Sequence, residues 1–193
     1  KKKNYITFLD QGFDDNFDYA IRSYKNSKFD INDYWYKMNK LFTKLKSTFP
    51  KDKIIIAAHP RRSEKNLKRY TMQKAKFDLT AQLVSQSKLV VTHYSQAINL
   101  AVLFNKPIIL INFKSFDLHT FERSQSIMNF SRLLNLKVLN IDKDYKLEKK
   151  SIYKIDKTKY ETYKNLYLRF AENYNKNINI WNEITKKLNE KNI

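Results

Sequence analysis

Cysteine is absent from the 193 residues, and glycine occurs once, at Gly12. Without cysteine there is no disulfide and no thiolate zinc site. One glycine cannot build a GxGxxG turn or a Walker A loop, which argues against a dinucleotide dehydrogenase and a P-loop NTPase. The GxSxG elbow of the hydrolases is missing for the same reason. No apolar run approaches the length that spans a bilayer. The opening "KKKNYITFLD" leads into no apolar signal segment with a small-residue cleavage site. A cytoplasmic location is therefore expected. The chain starts without Met and enters a strand-like run almost at once, so a fragment of a longer protein is expected.

Positive charge is in excess. The formal net charge is +19. Residues 1–36 are neutral overall, whereas residues 37–76 hold thirteen basic and two acidic side chains. Abundant Lys, Asn and Ile with one glycine also fits an AT-rich coding sequence, which would raise lysine everywhere but would not concentrate it. A basic nucleic-acid-binding module is one reading of such charge, yet no helix-turn-helix or RNA-binding signature accompanies it. Hydrophobic content is 42%, enough for a folded core in a chain of this length.

Apolar periodicity predicts alternating elements. Residues 5–10 read as a buried strand. Asn32 or Asp33 would cap a helix carrying Trp35, Met38, Leu41, Phe42, Leu45 and Phe49, stopped by Pro50. "KIIIAA" (53–58) is apolar on both faces, as in a parallel sheet. "HPRRSEKNLKRY" reads as loop, and residues 70–77 are ambiguous. Asp78 would cap a short helix to about Gln86. "KLVVT" (88–92), a helix from Ser95 to Asn105, "KPIILIN", a loop and helix, and "KVLNI" (137–141) follow. This order implies βαβ units and a doubly wound α/β parallel sheet with helices on both faces. It gives a domain over 1–156 and a long C-terminal helix over 157–193. That helix places Tyr160, Tyr163, Tyr167, Phe170, Tyr174, Trp181, Ile184 and Leu188 on one stripe. The stripe suits packing on this domain or on a second one.

Ligands of open α/β sheets sit beyond the carboxyl ends of the strands. Three polar junctions fall there. The first is Asp10–Gln11–Gly12, followed by Asp14, Asp15 and Asp18, which read as loop residues; Asp10 could orient a basic group or act as a base. The second is His59–Pro60–Arg61–Arg62, with Lys65, Lys68 and Arg69 beyond. Arginine forks match phosphate oxygens, and a histidine beside them can donate to phosphate or move a proton. A solvated basic loop remains the alternative. The third is Thr92–His93–Tyr94–Ser95–Gln96, where Ser95 either caps its helix or offers its hydroxyl to an anion at the helix start. His93 could equally bond the neighbouring loop, and His119 reads as structural or solvated. No spacing supports a metal site.

The strand ending in "HP", the "TxYS" turn, the helix and "KPII" together resemble the nucleotide-binding half of GT-B glycosyltransferases of bacterial surface polysaccharides. The nearest likenesses are the sialyltransferase and polysialyltransferase-like enzymes and the CDP-glycerol glycerophosphotransferases. His59 and Pro60 match the HP motif, and Ser95 matches the first hydroxyl of the paired-hydroxyl turn. Gln96 departs from the usual Ser or Thr, and "DQG" at 10–12 only loosely follows the sialyltransferase acidic motif. The resemblance covers roughly residues 5–141. It implies one Rossmann-like half of a GT-B enzyme acting in capsule, lipooligosaccharide or teichoic acid synthesis, by inverting transfer from a CMP-, CDP- or UDP-linked donor without cofactor or metal. His59 and Asp10 would be the catalytic candidates. His59, Pro60, Arg61, Arg62, Thr92, His93, Tyr94, Ser95 and Gln96 would contact the nucleotide and its phosphates. The implied partners are the donor, a glycan acceptor, an N-terminal acceptor domain and, peripherally, the inner face of the membrane, with no nucleic acid. The alternatives are an epimerase of the UDP-N-acetylglucosamine 2-epimerase type, with Glu122 as its carboxylate near the cleft, and the basic nucleic-acid-binding module.

Overall fold

The computed structural model describes residues 5–13, 30–71, 73–114 and 121–169, the side chains of 121–123 excepted. Six strands form one sheet: β1 (Tyr5–Leu9), β2 (Lys53–Ala57), β3 (Lys74–Lys76), β4 (Leu89–Thr92), β5 (Ile108–Asn112) and β6 (Val138–Asn140). Their order is β3-β2-β1-β4-β5-β6. Every pairing is parallel. The chain winds outward from β1 to β3, returns, and winds outward again from β4 to β6. This is a doubly wound, Rossmann-like sheet, and its order reverses between β1 and β4.

The helices are α1 (Ile31–Thr48), α2 (Glu64–Leu67), α3 (Thr80–Gln86), α4 (Ile98–Leu103), α5 (Phe121–Leu134), α6 (Lys149–Ile152) and α7 (Lys157–Tyr163). α1 lays Tyr34, Trp35, Met38, Leu41, Phe42 and Leu45 into the core. The Phe42 ring meets Phe8 of β1 edge-on at 5.4 Å. On the other face, Thr7 of β1 donates its hydroxyl to the Leu83 carbonyl of α3. Helices thus cover both faces, as the two-sided apolar strands require. Burial of each large α1 side chain contributes about 1.5–3 kcal/mol.

Several boundaries differ from the sequence expectations. Asp30, not Asn32 or Asp33, caps α1: its carboxylate accepts from the N–H groups of both those residues. Asp78 does not cap α3. It adopts φ 54°, and Leu79 occupies the cap position with no side-chain bond. The "HPRRSEKNLKRY" loop contains α2, and the ambiguous stretch holds the edge strand β3, flanked by exposed Lys74 and Lys76. Charge on a short edge strand blunts its capacity to pair with other chains.

After β6 the chain runs back along α1. Lys37 bridges Asp33 and Asp142, the Lys44 ammonium donates to the Tyr145 carbonyl, and Phe49 meets Tyr153 edge-on. α7 starts at the Asp156 cap and continues as a π-helical turn over Lys164–Leu168. Tyr160 and Tyr163, two members of the expected stripe, are buried, whereas Tyr167 in the π-helical turn is 58% exposed, and Arg169 leaves the helical run in an extended conformation. The stripe positions from Phe170 onward lie outside the described residues.

Candidate functional site

Asp10 follows β1, the strand beside the reversal, and its carboxylate organises the carboxyl edge. It is 5% exposed. Arg62 grips it bidentately, Nη2 to Oδ1 at 2.6 Å and Nε to Oδ2 at 2.8 Å. The Gly12 and His59 backbone N–H groups and the Tyr70 hydroxyl donate to the same carboxylate. One side chain therefore fixes the β1 loop, the β2 loop and the end of the segment after α2. Burial pushes the Asp10 carboxyl up, but Arg62, the Gly12 N–H and the Tyr70 hydroxyl outweigh it and hold the carboxyl below the usual carboxylate range. Burial, with the Asp10 charge, pushes the Tyr70 phenol well above its ordinary value. Arg62 is 4% exposed and lies over the rings of Trp35 and Tyr70.

These contacts correct two expectations. Asp10 accepts from five groups, so it has no carboxylate edge left to take a proton from an acceptor, and it is not placed as a base. Arg62 is folded inward onto Asp10, so its fork is not offered to a phosphate at the surface. Interior partners also hold His93, which is fully buried. Its Nδ1 lies 3.0 Å from the Ile111 carbonyl and its Nε2 3.2 Å from the Tyr34 hydroxyl. A carbonyl only accepts, so Nδ1 carries the proton and Nε2 accepts from Tyr34. This makes His93 a core residue with both ring nitrogens engaged inside the protein. Thr92 is equally buried, and its hydroxyl has no partner among the described residues.

The accessible groups are fewer. His59 is half-buried, and Pro60 and Arg61 are exposed. The His59 Nδ1 lies 3.2 Å from the Arg61 backbone nitrogen and accepts its proton, so in the neutral ring the proton sits on Nε2. A Cβ on Gly12 would stand 3.4 Å from the His59 ring. The left-handed Gly12, at φ 61°, thus lets the β1 loop lie against that histidine. Across the reversal, Gln11 is buried and accepts through Oε1 from the Tyr94 N–H at 3.4 Å. This ties the first junction to the third.

The third junction differs from the expected long helix. Residues 95–97 form a tight turn, with Ile98, Asn99 and Leu100 bonding back three residues. α4 begins only at Ile98 and is six residues long. The Ser95 hydroxyl accepts from the Ala97 N–H at 3.2 Å, so Ser95 closes this turn instead of capping a helix to Asn105. Ser95 is half-buried and Gln96 is exposed. So short a helix presents little aligned dipole.

Tyr70, Tyr34 and Gln11 were missed as organisers. Tyr70 sits 60 positions from Asp10 at the edge of an ambiguous segment, and nothing local signals the contact. Asp14, Asp15, Asp18, His119 and the Glu122 side chain lie outside the described residues. Among those described, no group of three or more His, Asp or Glu could hold a metal ion, and no helix is long and apolar enough to cross a membrane.

Two cavities among the described residues lie at the opposite edge. One of about 320 Å³ is bounded by the start of β5, the loop into β6 and the segment 146–156, including Ile109, Leu136, Leu139, Leu147 and Ile152. Another of about 530 Å³ adjoins Lys88, Phe104, Lys106 and Tyr153. The amino ends of the strands are not where this fold holds its ligands, so the carboxyl-edge loops remain the candidate site.

No family model matches the sequence, and no curated protein matches it. Among solved structures, the chain aligns with the UDP-GlcNAc 2-epimerase of Methanocaldococcus jannaschii, solved in complex with UDP-GlcNAc and UDP, at a TM-score of 0.43 and 15% identity. The alignment covers 85% of this chain and 45% of that one. The chain therefore spans less than half the length of that structure, and its own strand order is what defines the fold.

Proposed function

We propose that this chain binds the phosphate end of a nucleotide-linked sugar or polyol at the carboxyl edge, as the donor half of a GT-B glycosyltransferase of surface polysaccharide synthesis. The observation that carries the reading is the Asp10 network. It draws the loops after β1 and β2 together beside the point where strand order reverses, and Gln11 ties in the loop after β4. A fold that leaves a crevice there gains a preorganised rim of donors.

The roles follow from accessibility. His59 offers the Nε2–H to a phosphate oxygen. Arg61 supplies positive charge beside it, and Pro60 sets the direction in which the loop leaves β2. Ser95 and Gln96 offer a hydroxyl and an amide from the third loop, with Tyr94 alongside. Asp10 and Arg62 position these groups without touching the ligand. The sequence resemblance in "HP" and "TxYS" supports a cytidine nucleotide donor. The acceptor and the rest of the catalytic machinery belong to a second domain in this reading.

Calorimetric titration with CMP, CDP, UDP and GDP tests the proposal on the chain as it stands. One cytidine nucleotide should bind saturably. His59→Ala and Arg61→Ala should each weaken it about 10- to 100-fold, the cost of losing a hydrogen bond to a charged group. Preference for UDP would move the reading to the epimerase type. Binding unchanged in both variants would remove the site from this edge.

A further inference from the structure

The cavity beside β5 and β6 has no part in the carboxyl-edge site, and its walls and mouth differ in chemistry. Ile109 of β5 shares a row across the sheet with Val91 and Phe8, and Phe8 meets Phe42 of α1. Leu139 of β6 pairs with Ile111, two residues on from Ile109. Alternation along the strands therefore puts Ile109 and Leu139 on the face that α1 covers. At the amino ends of β5 and β6 the returning segment 143–156 completes this layer, with the four-residue α6 as its one regular element. The segment is pinned to α1 through Lys44 with Tyr145 and Phe49 with Tyr153. Extended chain is thinner than a helix of 10–12 Å diameter, and about 320 Å³ is left between Leu147 and Ile152 of the segment and Ile109, Leu136 and Leu139 of the sheet side.

Close-packed interiors leave few voids larger than a water. Aliphatic walls give water few hydrogen-bond partners, so such a space favours an apolar guest. No aromatic ring lines it among the described residues, so a planar base finds no stacking platform. The mouth is cationic. Lys137, Lys146 and Lys154 line it and are exposed, and their ammonium groups have no ion pair or hydrogen bond among the described residues. Of the two carboxylates there, Asp156 is held by the Asn135 amide and the Lys159 N–H at the start of α7, and Glu148 is exposed. Three cations thus face one uncommitted carboxylate.

We propose that this cavity binds a small aliphatic carboxylate, with its chain among the five aliphatic walls and its head at the three lysines. A space of this size is at the lower end of those that hold small molecules, which suits a chain of medium length. The guest would join the returning segment to the sheet and so stabilise the fold. The proposal does not rest on the nucleotide reading, whose site lies at the other end of the strands.

Calorimetric titration with straight-chain carboxylates from butanoate to dodecanoate, kept below their micelle concentrations, tests it. One molecule should bind per chain. Affinity should rise about fourfold per methylene and level off once the cavity is full. Octanol should bind more weakly than octanoate, by about two- to fivefold for each lysine engaged. Ile152→Trp fills the space from the segment and should abolish saturable binding. The exposed triple Lys137→Gln, Lys146→Gln, Lys154→Gln leaves the core untouched. It should erase the preference for octanoate over octanol while octanol binds as before. Four results would overturn the proposal. They are no saturable binding of any member, affinity that climbs through dodecanoate without levelling, octanol binding the parent as tightly as octanoate, and a triple variant that keeps the full preference.

Discussion

The two ends of the sheet each bury an aspartate, and they use it differently. Asp10, at the carboxyl end, joins elements far apart in sequence through Arg62, Tyr70 and the His59 N–H. Asp52, at the amino end, meets Lys88, whose side chain is 36% exposed, and the surrounding backbone bonds are local turns of the α1–β2 connection. Below it the strands open onto cavities, while above β1 the loops are drawn together. A buried charge with five donors costs desolvation that only tertiary contacts offset. Its presence at one end shows where loop geometry is held tightly. The other end needs only connections short enough to return the chain.

The largest expected effect tests that asymmetry directly. Asp10→Asn leaves the Arg62 guanidinium buried beside a neutral amide, which should cost about 3–5 kcal/mol in denaturant unfolding. The acid limb should change with it. The folded Asp10 carboxyl titrates below its unfolded value, so its stabilisation is complete above the unfolded carboxylate range near pH 4 and is lost as pH falls through the depressed folded value. The variant should therefore lose stability less steeply on acidification than the parent. An unchanged acid limb would mean that Asp10 does not carry the charge assigned to it.

A smaller effect belongs to Gly12. Gly12→Ala puts a Cβ on a residue at φ 61°. Since that Cβ would meet His59 at ordinary contact distance, the backbone sets the cost, about 1–2 kcal/mol. The smallest effect belongs to the amino end. Asp52→Asn should cost about 1 kcal/mol, because the partner it leaves, Lys88, is 36% exposed and stays hydrated, unlike Arg62. Thermal unfolding of the three variants in one buffer ranks them. If Asp52→Asn proved as damaging as Asp10→Asn, the contrast between the two ends would fail.

Much of the framework was legible in sequence because it follows from local pattern. "YITFL", "KIIIA" and "LVVT" are apolar on both sides, and a strand with no polar face must lie between two layers. The 3.6-residue stripe of α1 could be read for the same reason. β3 was not legible: "KAK" has no apolar signal, and it becomes a strand only because β2 offers a free edge. Cap positions slipped as well, since Asp30 and Asn32 are equivalent cap chemistry and packing of Tyr34 and Trp35 chose between them. In the site, the three polar junctions could be located, but the partners within them could not. His93 and Ser95 looked alike as polar residues of one turn, yet one faces the core and the other closes a surface turn.

The sequence by itself determined an α/β chain with its polar loops at the carboxyl ends of parallel strands, because strand and helix periodicities are properties of neighbouring residues. Only the tertiary structure decided that Asp10 and Arg62 hold the loops together while His59 and Arg61 remain accessible. Residues 52 positions apart meet only once β1 and β2 have paired, and a carboxylate's role depends on which donors surround it after that pairing.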